Sequence, residues 1–172
     1  MHRAALVLIA IVFAAPAAYA ASSPQTIKLS QLGIVFRLPA GWTGNLVGLR
    51  YDARTPDGVA LLSIQEATTK LSLSVIAANF AKAELQQLKK TDPHASVVLQ
   101  NMKLTVGPVV KVTIKYQGLW SGHRAAITHI TYTFKRGSHA YIFDFGTSGT
   151  LTAKVKAIVD ASINSLRFLG AA

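Results

Sequence analysis

The sequence contains no cysteine and few acidic residues. Among its 172 residues there are 7 Asp+Glu against 18 Lys+Arg, and charged residues make up only 15%. Without cysteine there is no disulfide framework, no iron–sulfur cluster, no cysteine zinc site and no lipid-anchored cysteine. The 51% of hydrophobic residues excludes a disordered chain. The shortage of carboxylates leaves a formal net charge of +11, which favours anionic partners.

The first twenty residues have the three parts of a secretory signal peptide. Met1-His2-Arg3 is a short basic start, residues 4–15 form an apolar run, and Ala18 and Ala20 place small residues before a cleavage site. A membrane anchor is the alternative, but the run is shorter than the about 20 residues that span a bilayer. We therefore expect cleavage after Ala20 and a periplasmic or secreted protein without a transmembrane segment.

The remaining residues, 21–172, are expected to form one domain with a net charge of +10, since only Arg3 is lost among the charged residues. Alternation and turn residues predict short strands at 34–38, 46–52 and 59–66. From Leu73 the apolar residues recur at spacings of three and four. This predicts an amphipathic helix over residues 73–90, capped by Ser72 or Ser74 and ended by Asp92-Pro93, with Glu84 on its outer face.

The second half of the chain reads as strands followed by a helix. The predicted strands are 95–100, 110–116, 124–135 and 138–146, with a loop at 118–123, and the closing helix is 152–168. The order is thus three strands, a helix, four strands and a helix, which is an α+β class.

Three features resemble the PsbP/Mog1-like superfamily over about residues 27–168. They are the turn Leu38-Pro39-Ala40-Gly41-Trp42 after the opening strand, the helix 73–90 after three strands, and two long late strands before a closing helix that contains residues 163–168. The resemblance implies an antiparallel sheet of about six or seven strands flanked by two main helices. It also implies a non-enzymatic accessory or regulatory protein, with no catalytic set and no cofactor to carry over.

The late hairpin suggests a candidate site. If Arg136-Gly137 is a two-residue loop, His129 sits opposite Asp144, and the other face, which is aromatic, belongs to the core. A carboxylate beside an imidazole raises its pKa. The preceding strand would add Lys111, Thr113 and Lys115 to this polar face. The alternative is a cross-strand pair that only stabilises the sheet.

Trp120 and Arg124 are further binding candidates beside the predicted loop. An exposed tryptophan near cations suits a partner contact, whereas a tryptophan folded back onto the sheet is equally compatible with the sequence. No Gly-x-Ser-x-Gly or His-Glu-x-x-His motif occurs, so neither a serine nucleophile nor a metal site is predicted.

Three functions remain open at this point. The first is an exported, basic, non-catalytic accessory or binding protein of the cell envelope that contacts an anionic or protein partner. The second is a carrier of a small molecule or anion, and the third is a hydrolase using His129 and Asp144. No cofactor is predicted, and no nucleic-acid-binding motif is present.

Overall fold

Ten strands, two α-helices and one short 3₁₀ helix make up the part of the chain that the computed structural model describes, residues 23–149 and 153–170. The predicted signal peptide lies outside these residues. In chain order the elements are β1 (Gln25–Leu29), the 3₁₀ helix (Ser30–Leu32), β2 (Ile34–Leu38), β3 (Thr43–Val47), β4 (Arg50–Arg54), β5 (Ala60–Thr68), α1 (Leu73–Leu88), β6 (Ser96–Leu104), β7 (Gly107–Trp120), β8 (His123–Arg136), β9 (His139–Ser148), α2 (Ala153–Asn164) and β10 (Arg167–Phe168). Within the described ranges, no helix is long and apolar enough to cross a membrane.

The strands form two antiparallel sheets. Seven strands pair in the order β3-β4-β5-β9-β8-β7-β6, and the other three form a small sheet in the order β1-β2-β10. The predicted α+β class, with an antiparallel sheet of six or seven strands and two main helices, is therefore confirmed. The small sheet, with β1 and β10, was not predicted.

One face of the seven-stranded sheet carries the main core, beneath α2 and the small sheet. Tyr132, Phe134 and Phe143, on alternate positions of β8 and β9, are at most 1% exposed. Phe36 of β2 packs edge-on against Phe143, with ring centroids 5.6 Å apart. The aromatic face predicted for the late hairpin is thus core, and Trp42 joins it, packed edge-on against Phe145.

Helix α1 covers the opposite face of β6, β7 and β8. The Ser72 side chain accepts a hydrogen bond from the Val75 N–H, so Ser72 is the N-cap of the two serines predicted. Ala77 and Ala81 of the helix pack against the apolar row of β7, formed by Val110, Val112 and Ile114. The two helices therefore lie on opposite faces of the large sheet.

Two hairpin turns differ from those expected from the sequence. The predicted loop 118–123 is wrong, because β7 and β8 meet at Ser121-Gly122, where both residues have positive φ (50° and 83°) and match the twist of a hairpin. The next turn is Gly137-Ser138 and not Arg136-Gly137. A two-residue turn with positive φ at its first position places glycine there, and Gly137 has φ 58°.

The closing helix is shorter than predicted and ends at Asn164. The Ser165 hydroxyl donates to the Ser162 carbonyl and accepts the Arg37 backbone N–H, which ties the end of the helix to β2. Arg167 and Phe168, predicted as helical, instead pair with β2 as strand β10.

Candidate functional site

His129 and Asp144 share one face of β8 and β9 but are not directly opposite each other. The ladder pairs His129 with Gly146 and Thr131 with Asp144, so the predicted register is wrong by two residues. A shift of two keeps every side chain on its predicted face. The two groups meet diagonally, with His129 Nδ1 3.5 Å from Asp144 Oδ2, and Thr131 Oγ1 donates to Asp144 Oδ1 at 2.8 Å.

Two side chains from other elements join them in what we call the polar cluster: Glu84, Tyr116, His129, Thr131 and Asp144. The Tyr116 hydroxyl of β7 lies 3.4 Å from His129 Nε2, and the two rings meet edge-on. Glu84 of α1 is partly buried beside His129 and Asp144, which corrects its predicted place on the outer face. The helical spacing could have predicted this position, because Glu84 follows the buried Ala81 by three residues and therefore lies on the same side of the helix.

The environment shifts the pKa of three of these groups. Burial alone lowers the pKa of His129, but the hydrogen bond and charge of Asp144 and the charge of Glu84 outweigh it and raise that pKa. Burial, helped by the Asp144 charge, raises the pKa of Glu84. Burial and the two carboxylates raise the pKa of Tyr116 to about 12. The environment thus shifts His129 toward its imidazolium form, and Glu84 and Tyr116 toward their neutral forms.

This arrangement gives no support to hydrolysis. A phenol with a raised pKa is a weak nucleophile at neutral pH. The Thr131 hydroxyl is fully buried and donates to Asp144, so it is not activated by His129. No group of three or more His, Asp or Glu side chains within the described residues is placed to hold a metal ion.

Trp120 is folded back onto the sheet, the second of its two predicted positions. Its indole Nε1 donates to the Gly58 carbonyl at 2.8 Å. Gly146 leaves room for this ring, because a Cβ at that position would lie 3.3 Å from Trp120 and 3.2 Å from His129 Nε2. Trp120 therefore packs beside the polar cluster.

Lys111, Thr113 and Lys115 lie on the opposite face of the sheet from His129, so the prediction that they join it is wrong. Lys111 pairs with Tyr132 in the ladder, and its Nζ lies 5.6 Å from the centroid of that ring. The reason is that β7 turns its apolar row toward α1, which leaves the lysine row on the side of α2.

The three residues share their face with Arg124 of β8, which pairs with Leu119. Side chains at this end of the face are exposed: Lys115, Gln117, Leu119, Arg124 and Ala126. We call the surface formed by Lys111, Thr113, Lys115 and Arg124 the cationic face.

No carboxylate within the same strands offsets these cations. From Pro93 to Phe143, a stretch that contains all of β6, β7 and β8, the sequence has no Asp or Glu. Asp160 of α2 lies at the border of the cationic face, where it accepts a hydrogen bond from the Tyr132 hydroxyl. Its charge is paired with Lys156.

Asp92, just before β6, is the nearer carboxylate: its Oδ2 accepts the Gln117 backbone N–H at 2.6 Å, and its charge interacts with Arg124. The cationic face thus has three cations, with Asp92 and the Lys156-paired Asp160 as the carboxylates at its border. This excess of positive charge favours an anionic partner.

The space between the large sheet and α2 does not suit a carried ligand. A void there, lined by Trp42, Ala60, Ile130 and Phe145 among others, has a volume of about 10 Å³. Such a volume holds about one water molecule. The carrier hypothesis gains no support from this region.

The seven-stranded sheet with a helix on each face and a small second sheet is similar to the fold of PsbP and Mog1 proteins, which confirms the fold that the resemblance implies. Cyanobacterial PsbP (CyanoP) of Synechocystis sp. PCC 6803 superposes with a TM-score of 0.59 at 17% identity, covering 90% of this chain and 97% of that one. The Ran-binding protein Mog1p of Saccharomyces cerevisiae gives 0.61 at 11% identity, covering 85% and 95%.

A third structure with this fold is LpqN, a protein involved in cell envelope biogenesis of Mycobacterium tuberculosis. It gives a TM-score of 0.55 at 10% identity, covering 86% of this chain and 91% of that one. No protein-family model and no curated protein matches the sequence. At these identities the likeness shows the fold alone.

Proposed function

We propose that this chain is an exported, basic, non-catalytic accessory protein of the cell envelope that binds an anionic or protein partner through its cationic face. The observation that carries the proposal is the grouping of Lys111, Lys115 and Arg124 on one sheet surface, in strands without a carboxylate. A surface of one sign attracts partners of the other sign and speeds their association.

The side chains of this face suit binding. Lys115 and Arg124 are exposed and can reach a partner, although the Arg124 charge also interacts with the buried Asp92. Lys111 is held over the Tyr132 ring. The protein as a whole has 18 Lys+Arg against 7 Asp+Glu, so its net charge also favours an anionic partner. Binding of this kind weakens as salt screens the charges.

Two proteins with this fold have roles that are compatible with the proposal. Among proteins with this fold, Mog1p is a Ran-binding protein and LpqN is involved in cell envelope biogenesis. Export itself rests on residues 1–20, and N-terminal sequencing of the protein from an expressing bacterium should give Ala21 as the first residue. A mature protein that still begins at residue 1 or 2 contradicts export by this route.

The binding test uses a charge reversal on the cationic face. We expect the double variant Lys115→Glu and Arg124→Glu to bind vesicles of phosphatidylglycerol and phosphatidylcholine, or poly-glutamate, about tenfold or more weakly than the unaltered protein at low salt. The measurements are vesicle co-sedimentation and titration calorimetry, repeated at high salt, where binding should be lost.

The control is Lys82→Glu with Lys89→Glu, two exposed positions on or next to α1 that change the net charge equally on the other side of the sheet. This control should bind nearly as well as the unaltered protein. Equal losses in both variants would show that net charge alone matters, and no loss in the first would remove the cationic face from the proposal.

A further inference from the structure

We infer that β6, the free edge of the seven-stranded sheet, binds an extended acidic segment of a partner protein as an added strand. The inference rests on the proposed function and deepens it, because it names the class of partner and the way it docks. Backbone hydrogen bonds would supply affinity, and the neighbouring cations would select the charge.

The edge is long and open. β6 is the last strand in the sheet order and pairs on one side only, with β7. Val98 and Leu99, near its middle, are 64% and 45% exposed. Along residues 96–104, no backbone hydrogen bond to the described parts of the chain is formed outside the β7 ladder.

The ladder fixes which backbone groups point outward. The turn Thr105-Val106 makes Leu104 and Gly107 the first hydrogen-bonded pair of the β6–β7 hairpin. Hydrogen-bonded pairs alternate along an antiparallel ladder, so Leu104 and every second residue before it point their backbone groups toward β7. The outward groups therefore belong to the intervening residues, Val97, Leu99, Asn101 and Lys103.

The usual protections of an edge strand are absent from β6. Natural edges are shortened, bulged, covered, or blocked by proline and by central lysines. β6 has nine residues, no proline and a single lysine near its end, Lys103. The other edge of the same sheet, β3, has only five residues and includes Gly44. β6 is thus the edge that suits strand addition.

The charges around β6 favour an acidic segment over a second copy of this chain. Lys103 lies on β6. The backbones of Lys111 and Lys115 face Gln100 and Ser96 across the ladder, about 10 Å from an added strand at the usual strand spacing. This distance is about one Debye length at 0.1 M salt. The Lys111 ammonium leans the other way, over the Tyr132 ring of β8, so Lys103 and Lys115 carry the charge argument. Pairing of the β6 edges of two copies would bring the lysines of both copies close together. Neither β6 nor β7 contains a carboxylate that would reduce their repulsion.

The probe is a nine-residue blocked peptide that alternates glutamate and valine, compared with the same peptide carrying lysine for glutamate. We expect the acidic peptide to slow amide hydrogen exchange of Val97, Leu99 and Asn101 about tenfold or more. The exchange of Val98 and Gln100, which already bond to β7, should change much less. The lysine peptide should leave all five amides unchanged.

A matched pair of variants separates the contribution of the backbone N–H from that of the side chain. Leu99→Pro removes an outward N–H without removing a bond to β7, and Leu99→Ala removes the side chain but keeps that N–H. We expect Leu99→Pro to weaken binding of the acidic peptide about tenfold or more and Leu99→Ala to weaken it about threefold or less. If Leu99→Pro fails to fold, the exchange pattern of the unaltered protein decides the question.

Three results would overturn the inference. The first is peptide binding without protection at Val97, Leu99 and Asn101, and the second is equal binding by a folded Leu99→Pro variant. The third is a dimer, seen by analytical ultracentrifugation, that Leu99→Pro dissociates, since the occupant would then be a second copy. The proposed function fails separately, because it requires the loss of vesicle or poly-glutamate binding on charge reversal of Lys115 and Arg124.

Discussion

The two faces of the large sheet are built from different chemistry. Toward α2 and the small sheet, aromatic rings from β2, β8 and β9 form a dry core around Phe143. Toward α1, the buried apolar residues are few and small, mainly alanines and valines. The polar cluster around His129 and Asp144 lies beside them on this face. The first face is therefore expected to hold most of the stability, and the second to make it depend on pH.

The largest expected effect is on the α2 face. Phe143 is fully buried, and its ring centroid lies 5.6 Å from those of Phe36 and Phe134. Phe143→Ala should lower the free energy of unfolding by about 3–5 kcal/mol, because it removes a large apolar side chain and leaves a cavity. Urea denaturation followed by circular dichroism measures the change.

Val112→Ala is the matched substitution on the α1 face, since Val112 is also fully buried. It should lower the free energy of unfolding by about 2 kcal/mol, because it removes fewer carbon atoms than Phe143→Ala does. A cost for Val112→Ala as large as that for Phe143→Ala would break the comparison between the faces.

The next effect is the pH dependence that His129 gives to the α1 face. The pKa of His129 is raised above 6.5 in the folded protein, so its contribution to stability is complete below that value and is lost as the pH rises through the folded pKa. The pKa of Glu84 is also raised, so the protein should likewise lose stability as the pH rises through that pKa, at lower pH than for His129. The urea midpoint of the unaltered protein should thus fall between pH 6 and pH 8.5.

His129→Gln should flatten this dependence, whereas the exposed His123→Gln should preserve it. A midpoint that rises over the same range, or a slope unchanged in His129→Gln, would show that the Asp144 and Glu84 charges do not outweigh the burial of the imidazole.

Much of the fold followed from local signals. Ser72 caps α1 as its side-chain chemistry predicts, and the period of two assigned each residue of β8 and β9 to the correct face. The register of that hairpin did not follow, because it depends on which residue takes the positive φ of the turn, here Gly137. Periodicity was thus enough to predict the class of the fold. The wrong β8–β9 register came from misplacing one turn by one residue.

The candidate site was predictable only in pieces. Alternation showed that Lys111 and Val112 face opposite ways, but it does not say which row turns toward a helix. The rows are placed by tertiary packing: α1 requires an apolar surface beneath Ala77 and Ala81, so β7 presents Val112 there and Lys111 on the other side. Strand β10 was missed because two residues are too few to show a period.

The smallest expected effect comes from two neighbouring threonines on the α1 face, both fully buried. The Thr131 hydroxyl donates to Asp144, so Thr131→Val should lower the free energy of unfolding by about 1.5 kcal/mol. The Thr133 hydroxyl has no hydrogen-bond partner within the described structure, so Thr133→Val, which keeps the shape, should raise stability by about 1 kcal/mol. Opposite signs in urea denaturation would show that polar groups on this face stabilise only where the polar cluster satisfies them, while losses in both variants would show that Thr133 is also satisfied.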